Sequence, residues 1–112
     1  MSEITWEDFE KVDVRVGRVV AAEPFPEARK PAIKLVVDFG PEGGEKGTSA
    51  QLTAHYDAER LVGRQVVAVV NFPPKRIAAF KSEVLVLGVP DEAGEVVLVS
   101  PDRAVPPGGR MF

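Results

Sequence analysis

The stretch QVVAVVNFPPKRIAAFKSEVLVL, residues 65–87, constrains the fold more than any other part of the chain. Val66, Val67, Ala68, Val69 and Val70 form an apolar, largely β-branched run too short for an ordinary helix, and Val84, Leu85, Val86 and Leu87 form a second. Runs of this kind suit strands covered on both faces. Pro73 and Pro74 have no N–H to give a ladder, so the first strand must stop before them. Between the two runs, residues 75–81 carry Lys75, Arg76 and Lys81 with no acid, and Ile77 and Phe80 are set among these cations. A cationic, partly apolar loop held between two core strands is a candidate binding element.

The other segments read as short strands that complete a sheet around these two. Over residues 12–22, Val12, Val14 and Val16 alternate with Asp13 and Arg15, which is the period of a half-exposed strand, and Gly17 breaks the alternation where a bulge or sharp bend is expected. Pro24, Pro26 and Pro31 frame the loop PFPEARKP, which holds Phe25, Arg29 and Lys30. Residues 32–39 form the next strand, with Ile33, Leu35 and Val37 on one face and Lys34, Val36 and Asp38 on the other. The GPEGGEKG segment at 40–47 lacks the Lys-Ser/Thr ending and the following helix of a phosphate-binding loop, and reads as a hairpin loop. Residues 48–53, TSAQLT, form a polar strand that faces solvent or a shallow groove. A helical turn follows Asp57 and stops at Gly63, residues 95–100 give a further strand, and the proline-punctuated tail is extended. At the amino end, Thr5 and Asp8 have the spacing of a capping box, and Trp6, Phe9 and Val12 share one side of a short helix.

Composition narrows the function classes. A chain of 112 residues is expected to be one domain that buries roughly two thirds of its unfolded surface. No apolar run reaches the length of a membrane span and no basic-then-apolar leader opens the chain, so a cytoplasmic protein without membrane insertion is expected. With Cys 0 there is no disulfide or thiolate chemistry, and His55, the single histidine, has no partner for a zinc cluster. The hydroxyls show no activating base and the carboxylates scatter over turns, so neither catalysis nor a metal or other cofactor is expected. A net charge of -3 argues against a general nucleic-acid footprint but leaves room for a local basic face, because fields act over about 10 Å.

Several short strands at regular spacing with one helical turn before the fourth predict an all-β fold. It is a five-stranded barrel of the oligonucleotide/oligosaccharide-binding (OB) type, with a short N-terminal helix and an extra C-terminal strand. Val14, Val16, Val19, Leu35, Val37, Leu52, Val67, Val69, Leu85 and Leu87 are its expected core. Such barrels bind on the face of strands two and three, between the first and last strand-connecting loops. Those loops are the two cationic ones, and Arg15, Lys34 and Gln51 are expected to project between them. Phe25 and Phe80 are then candidates to stack on bases or hold apolar side chains, whereas Phe72 has the stronger claim to a core position. Trp6, Phe9, Met111 and Phe112 near the ends, with Val97 and Val99 in an all-apolar strand, predict a symmetric homodimer interface.

The segments DVRVGRVVAAEPFPEARKPAIKLVVDFG, TSAQLT and LVGRQVVAVVNFPPKRIAAFKSEVLVLG resemble the tRNA-binding-domain family, which includes the carboxyl-terminal domain of bacterial methionyl-tRNA synthetases. The resemblance covers most of the chain. It implies a barrel of the type read above, a homodimer built by the terminal segments, and tRNA contacts around Asn71, Pro74, Lys75, Ser82 and Glu83. Typical tRNA binders of the family follow the Ser-Glu pair with Gly-Met; here Val84 and Leu85 follow, as in the export-related, chaperone-like branch. Two expectations result: a non-catalytic module for unfolded or presecretory polypeptides, or a tRNA-binding protein using the same groove.

Overall fold

The computed structural model describes residues 2–112. Helix α1 (Trp6–Glu10) starts at Thr5, whose hydroxyl accepts from Asp8 N–H while the Asp8 carboxylate accepts from Thr5 N–H, the reciprocal pairing its sequence predicts. Strand β1 (Val14–Pro24) is long enough to belong to two ladders, pairing with β2 (Ile33–Asp38) along its second half and with β4 (Gln65–Val69) along its first. Strand β3 (Glu45–Ala50) pairs with β2, and β7 (Leu85–Val86) with β4, giving an antiparallel sheet in the order β3-β2-β1-β4-β7. The sheet curls until its edge strands meet, which makes the nearly closed five-stranded barrel read from the sequence. Among the described residues no helix is long and apolar enough to cross a membrane.

The edges meet at one place. Thr48 is 1% exposed, and its hydroxyl donates to Val84 O at 2.7 Å, while Glu83 N–H donates to Gly47 O at 2.8 Å. Here the structure corrects the polar strand expected at 48–53: it begins at Glu45, directly after a helical turn α2 (Gly40–Gly43), and Thr48 points inward as a closing bond. The bend in β1 also differs from expectation. Gly17 pairs regularly with Val66, and the register shift falls between Val19 and Ala21. Gly17 is needed for another reason, since a Cβ there would lie 2.5 Å from Val37 Cγ1 and 2.9 Å from Phe39.

The interior is filled by Val19, Ile33, Leu35, Val37, Phe39 and Val66 with Leu52, Leu61, Ala68, Val84 and Leu98. Val14, Val16, Val67 and Val69 are buried too, but in a second cluster with Leu87, Val99 and Val105. That cluster exists because the C-terminal segment packs back on the barrel. Gly108 N–H and Met111 N–H donate to Val16 O and Val14 O, and the buried Gln65 amide exchanges two hydrogen bonds with the Val105 backbone. Two expected core residues are corrected: Leu85 is 49% exposed and Leu87 only half-buried, since β7 has a partner on one edge alone. Phe72 is also exposed, because it lies past the end of β4 beside the prolines that stop the strand.

Two hairpins complete the fold. Strands β5 (Lys75–Ile77) and β6 (Phe80–Ser82) turn the expected cationic loop into a hairpin, with Ala78 at φ 54, a conformation costly for a residue with a Cβ. Strands β8 (Gly88–Pro90) and β9 (Val96–Leu98) form the other. The expected need of residues 95–100 for cover on both faces is largely met within the chain, since Leu98 enters the main core and Val99 the second cluster, leaving Val97 outward. The short helix α3 (Ala58–Leu61) follows Asp57, whose side chain makes no capping bond. Beside it, His55 Nε2 lies 2.6 Å from Asp91 Oδ2, and Asp91 Oδ1 accepts from Ala93 and Glu95 N–H. The His55 hydrogen bond, followed by that from Glu95, holds the Asp91 carboxyl below its ordinary value of 3.8.

Three stability measurements check this architecture. Leu35→Ala should cost about 2–5 kcal/mol in denaturant unfolding through the cavity it leaves. Thr48→Val keeps the shape and adds apolar surface, yet should cost about 1–3 kcal/mol because the Val84 carbonyl is left without a donor. A depressed carboxyl contributes stability above its unfolded pKa and loses it as pH falls through the folded one. The thermal midpoints of wild type and Asp91→Asn should therefore differ at pH values well above 3.8 and converge as the solution is acidified below it.

Candidate ligand groove

Beyond the closing bonds at Thr48, β3 and the chain from β7 to β8 run apart, and the space between them is an open groove of ≈ 1020 Å³. One wall is the end of β3 with Ser49, Ala50, Gln51 and Leu52; the other is Leu85, Val86 and the β8–β9 hairpin. The loop between β1 and β2 brings Glu27, Arg29 and Lys30 to the rim, and the β5–β6 hairpin brings Lys75, Arg76 and Ile77. The two loops marked by the sequence as cationic therefore do meet over one cavity.

Electrostatically the rim is under-compensated. Among the described residues, Arg29, Lys30, Lys75, Arg76 and Lys81 form no ion pair with a carboxylate. Arg76 and Lys81 also stand directly opposite one another across the hairpin. Like charges in that position repel, so an anionic group placed between them would lower the energy of the hairpin.

Several residues expected in the groove make other contacts. Phe25 is 3% exposed and meets Phe80 edge to face, with centroids 5.5 Å apart. Lys34 Nζ lies 4.7 Å from the Phe25 ring centre and 5.3 Å from that of Phe80, with Glu23 3.8 Å away. This cluster seats the β5–β6 hairpin on the barrel and buries the Phe25 ring, which corrects the expectation for Phe25, while Phe80 stays half-buried against it. Arg15 lies in a separate cavity of ≈ 310 Å³ with Asp13 and Gly108, held by a 2.7 Å bond to the Asp13 carboxylate. Asn71 accepts from Asp13 N–H and donates to Lys11 O, bolting the end of β4 to the entrance of β1. Glu83 Oε1 accepts from Gly47 N–H, and the Ser82 hydroxyl lies 3.4 Å from that of Thr48, so both belong to the barrel closure. Pro74 is exposed ahead of the hairpin, outside the groove lining.

What sequence reasoning missed is the wall formed by residues 85–96. The sequence places Leu85 in the expected core and marks no role for Gly88, Val89 and Pro90, yet all four line the groove. A partial signal was present: Gly88 and Pro90 break the apolar run where a strand would leave the sheet. Of the expected interface residues, Trp6 packs on Phe9 with centroids 5.5 Å apart, and Trp6, Val97, Met111 and Phe112 are exposed. Val99 is partly buried in the second cluster.

Among the described residues no cluster of His, Asp or Glu could hold a metal ion. The putative tRNA binding domain family matches residues 14–110. Methionine–tRNA ligase 1 of Sorangium cellulosum is 43% identical over 109 residues, covering 97% of this chain and 15% of the ligase. The chain spans about 15% of the length of the curated relatives it matches. Among solved structures, the chaperone CsaA of Bacillus anthracis superposes with a TM-score of 0.92 at 55% identity, over 99% of this chain and 100% of that one. The CsaA chaperone of Picrophilus torridus gives 0.90 at 47% identity, over 98% and 100% of the two chains. With a match running from the start of β1 to the segment that packs beneath it, the chain belongs to the putative tRNA binding domain family, and along nearly its whole length it is similar to the CsaA chaperones.

Proposed function

We propose that this chain is a non-catalytic, CsaA-like chaperone that takes unfolded or presecretory polypeptide segments into the groove between β3 and the β8–β9 hairpin, on the cytoplasmic side of export. The observation that carries this reading is the groove's chemistry: Leu52, Ile77, Leu85, Val89 and Val96 line it, and cations stand on its rim. Sequence-tolerant binding of single-stranded RNA relies on aromatic side chains open to bases. Here Phe25 is buried and Phe80 is held against it. A polypeptide needs no such platform, because apolar side chains gain about 25 cal/mol for each Å² removed from water. Similarity to the CsaA chaperones supports the same reading.

The second reading is a tRNA-binding protein, favoured by the family match and by the unpaired Arg29, Lys30, Lys75 and Arg76. Both readings fit a two-fold homodimer, supported by the apolar surface that Trp6, Val97, Met111 and Phe112 leave exposed. Sedimentation equilibrium at micromolar concentration should give twice the chain mass.

Salt separates the two ligands. Each phosphate contact releases counterions, so RNA affinity should fall with a log–log slope of roughly −0.7 per contact. Polypeptide binding driven by apolar burial should hardly respond over the same range. With a reduced, unfolded protein and bulk tRNA as ligands, we expect polypeptide binding that survives physiological salt and weaker, salt-sensitive tRNA binding. Lys75→Ala with Arg76→Ala should flatten the tRNA salt slope. Leu85→Ser should lower polypeptide affinity roughly tenfold and leave tRNA unchanged. Tight tRNA binding at physiological salt with no polypeptide complex would reverse the assignment.

A further inference from the structure

Along one wall of the groove, main-chain groups of the described residues turn away from their neighbours in the sheet. Leu87 N–H donates to Val67 O, Val99 N–H donates to Leu87 O, and Asp91 N–H donates to Glu95 O. The odd-numbered residues of the extended stretch 85–91 thus turn their amides toward β4 and β9. In a strand, alternate residues point their N–H and C=O to opposite edges. Those of Val86 and Gly88 therefore face away from both neighbours, into the groove that these two residues line. Pro90 adds a carbonyl on the same edge and has no N–H. Among the described residues, none of these groups accepts or donates a hydrogen bond in a loop, cap or side-chain contact. Across the groove the end of β3 is in the same condition, because Gly47 spends its N–H and C=O on Glu83, and Ser49, two residues on, faces the same way.

Free edges are templates for another strand, and folded proteins normally cover or blunt them. We propose that the groove receives its polypeptide as an added β-strand, hydrogen-bonded to the N–H and C=O of Val86 and Gly88. The proposal rests on the polypeptide reading above and supplies its mode of recognition. It accounts for binding without a fixed sequence, because main-chain groups recur identically along any chain. RNA fits this edge less well, since its phosphates offer no donor to the two carbonyls and its 2′-hydroxyls and base amines do not recur at the spacing of a strand's main-chain groups.

Side chains set the preference. A strand presents alternate residues to opposite faces, and successive residues on one face lie about 6.8 Å apart. The lining offers apolar Ile77, Leu85 and Val89, and the rim offers Arg29, Lys30, Lys75 and Arg76, so a strand that turns one set of side chains to the lining and the other to the rim would meet both. The favoured segment is therefore extended and alternates apolar with acidic residues.

The test uses a capped, fluorescent decapeptide of alternating Val and Glu, and the same peptide with its four central amides N-methylated. Methylation keeps the side chains and an extended backbone but removes the donors. Affinity by anisotropy should fall at least tenfold on methylation. In the complex with the unmodified peptide, hydrogen exchange at the Val86 and Gly88 amides should slow, while Val89, already paired with Val97, should not change. Equal binding of both peptides would overturn strand addition and leave polypeptide binding intact. So would failure of the decapeptide in a protein that still binds reduced, unfolded polypeptide; failure of both ligands would remove the polypeptide reading as well. Two further results would overturn the proposal: protection of Val86 and Gly88 that rises with protein concentration in the free chain, which assigns the edge to a second copy, and the same protection produced by bulk tRNA alone.

Discussion

The barrel is closed by one short junction, and the rest of the molecule is arranged around it. Thr48 reaches Val84 O, and Gly47 exchanges bonds with Glu83 through its own N–H and C=O. Glycine at 47 suits this close approach, since a Cβ there would lie 3.3 Å from Phe80 Cζ and 3.4 Å from Lys81 O. Without the side chain, β6 can lie close against β3 and bring the cationic hairpin over the barrel. Closure is confined to this point because the polypeptide leaves β4 after a few residues to build a second hairpin with β9. A longer β7 would complete the barrel and abolish the groove. The groove is thus a consequence of incomplete edge pairing.

The rim depends on a second constraint, the placement of one lysine. Lys34 lies over the contacting rings of Phe25 and Phe80, with Glu23 at its tip. An ammonium near two aromatic faces is stabilised by their quadrupoles, and here it also ties the loop after β1 to the β5–β6 hairpin. Those are the elements that carry the unpaired cations. A chain of net charge -3 can therefore present a local positive rim, because Arg29, Lys30, Lys75 and Arg76 outnumber Glu27 there and the fields of more distant acids are screened within about 10 Å. The like-charged pair Arg76 and Lys81 adds a small repulsion that an anionic partner would relieve.

Much of the fold was legible because its signals are local. The capping box at Thr5, the alternation of Ile33, Leu35 and Val37, the proline stop after β4 and the cations of the two loops depend on a few adjacent residues each. Those signals were enough for an all-β barrel with two basic loops at one end. Errors arose wherever burial depends on a distant partner. Leu85 and Val84 look equivalent in sequence, yet Val84 faces the core and Leu85 borders the groove. Thr48 looks like a surface residue and is almost fully buried, because only the closed barrel brings a carbonyl to it.

The sequence by itself determined the strand-rich architecture, the charge of the loops and the absence of any thiolate or clustered histidine, since these follow from composition and short-range periodicity. Tertiary structure decided which aromatic rings are open, that Arg15 and Asn71 serve the packing of the termini, and that residues 85–90 keep a free edge. The physical reason is the same in each case. An N–H, a carbonyl or a ring is available for a ligand only if no other part of the chain has reached it first, and that contest is settled between residues far apart in sequence.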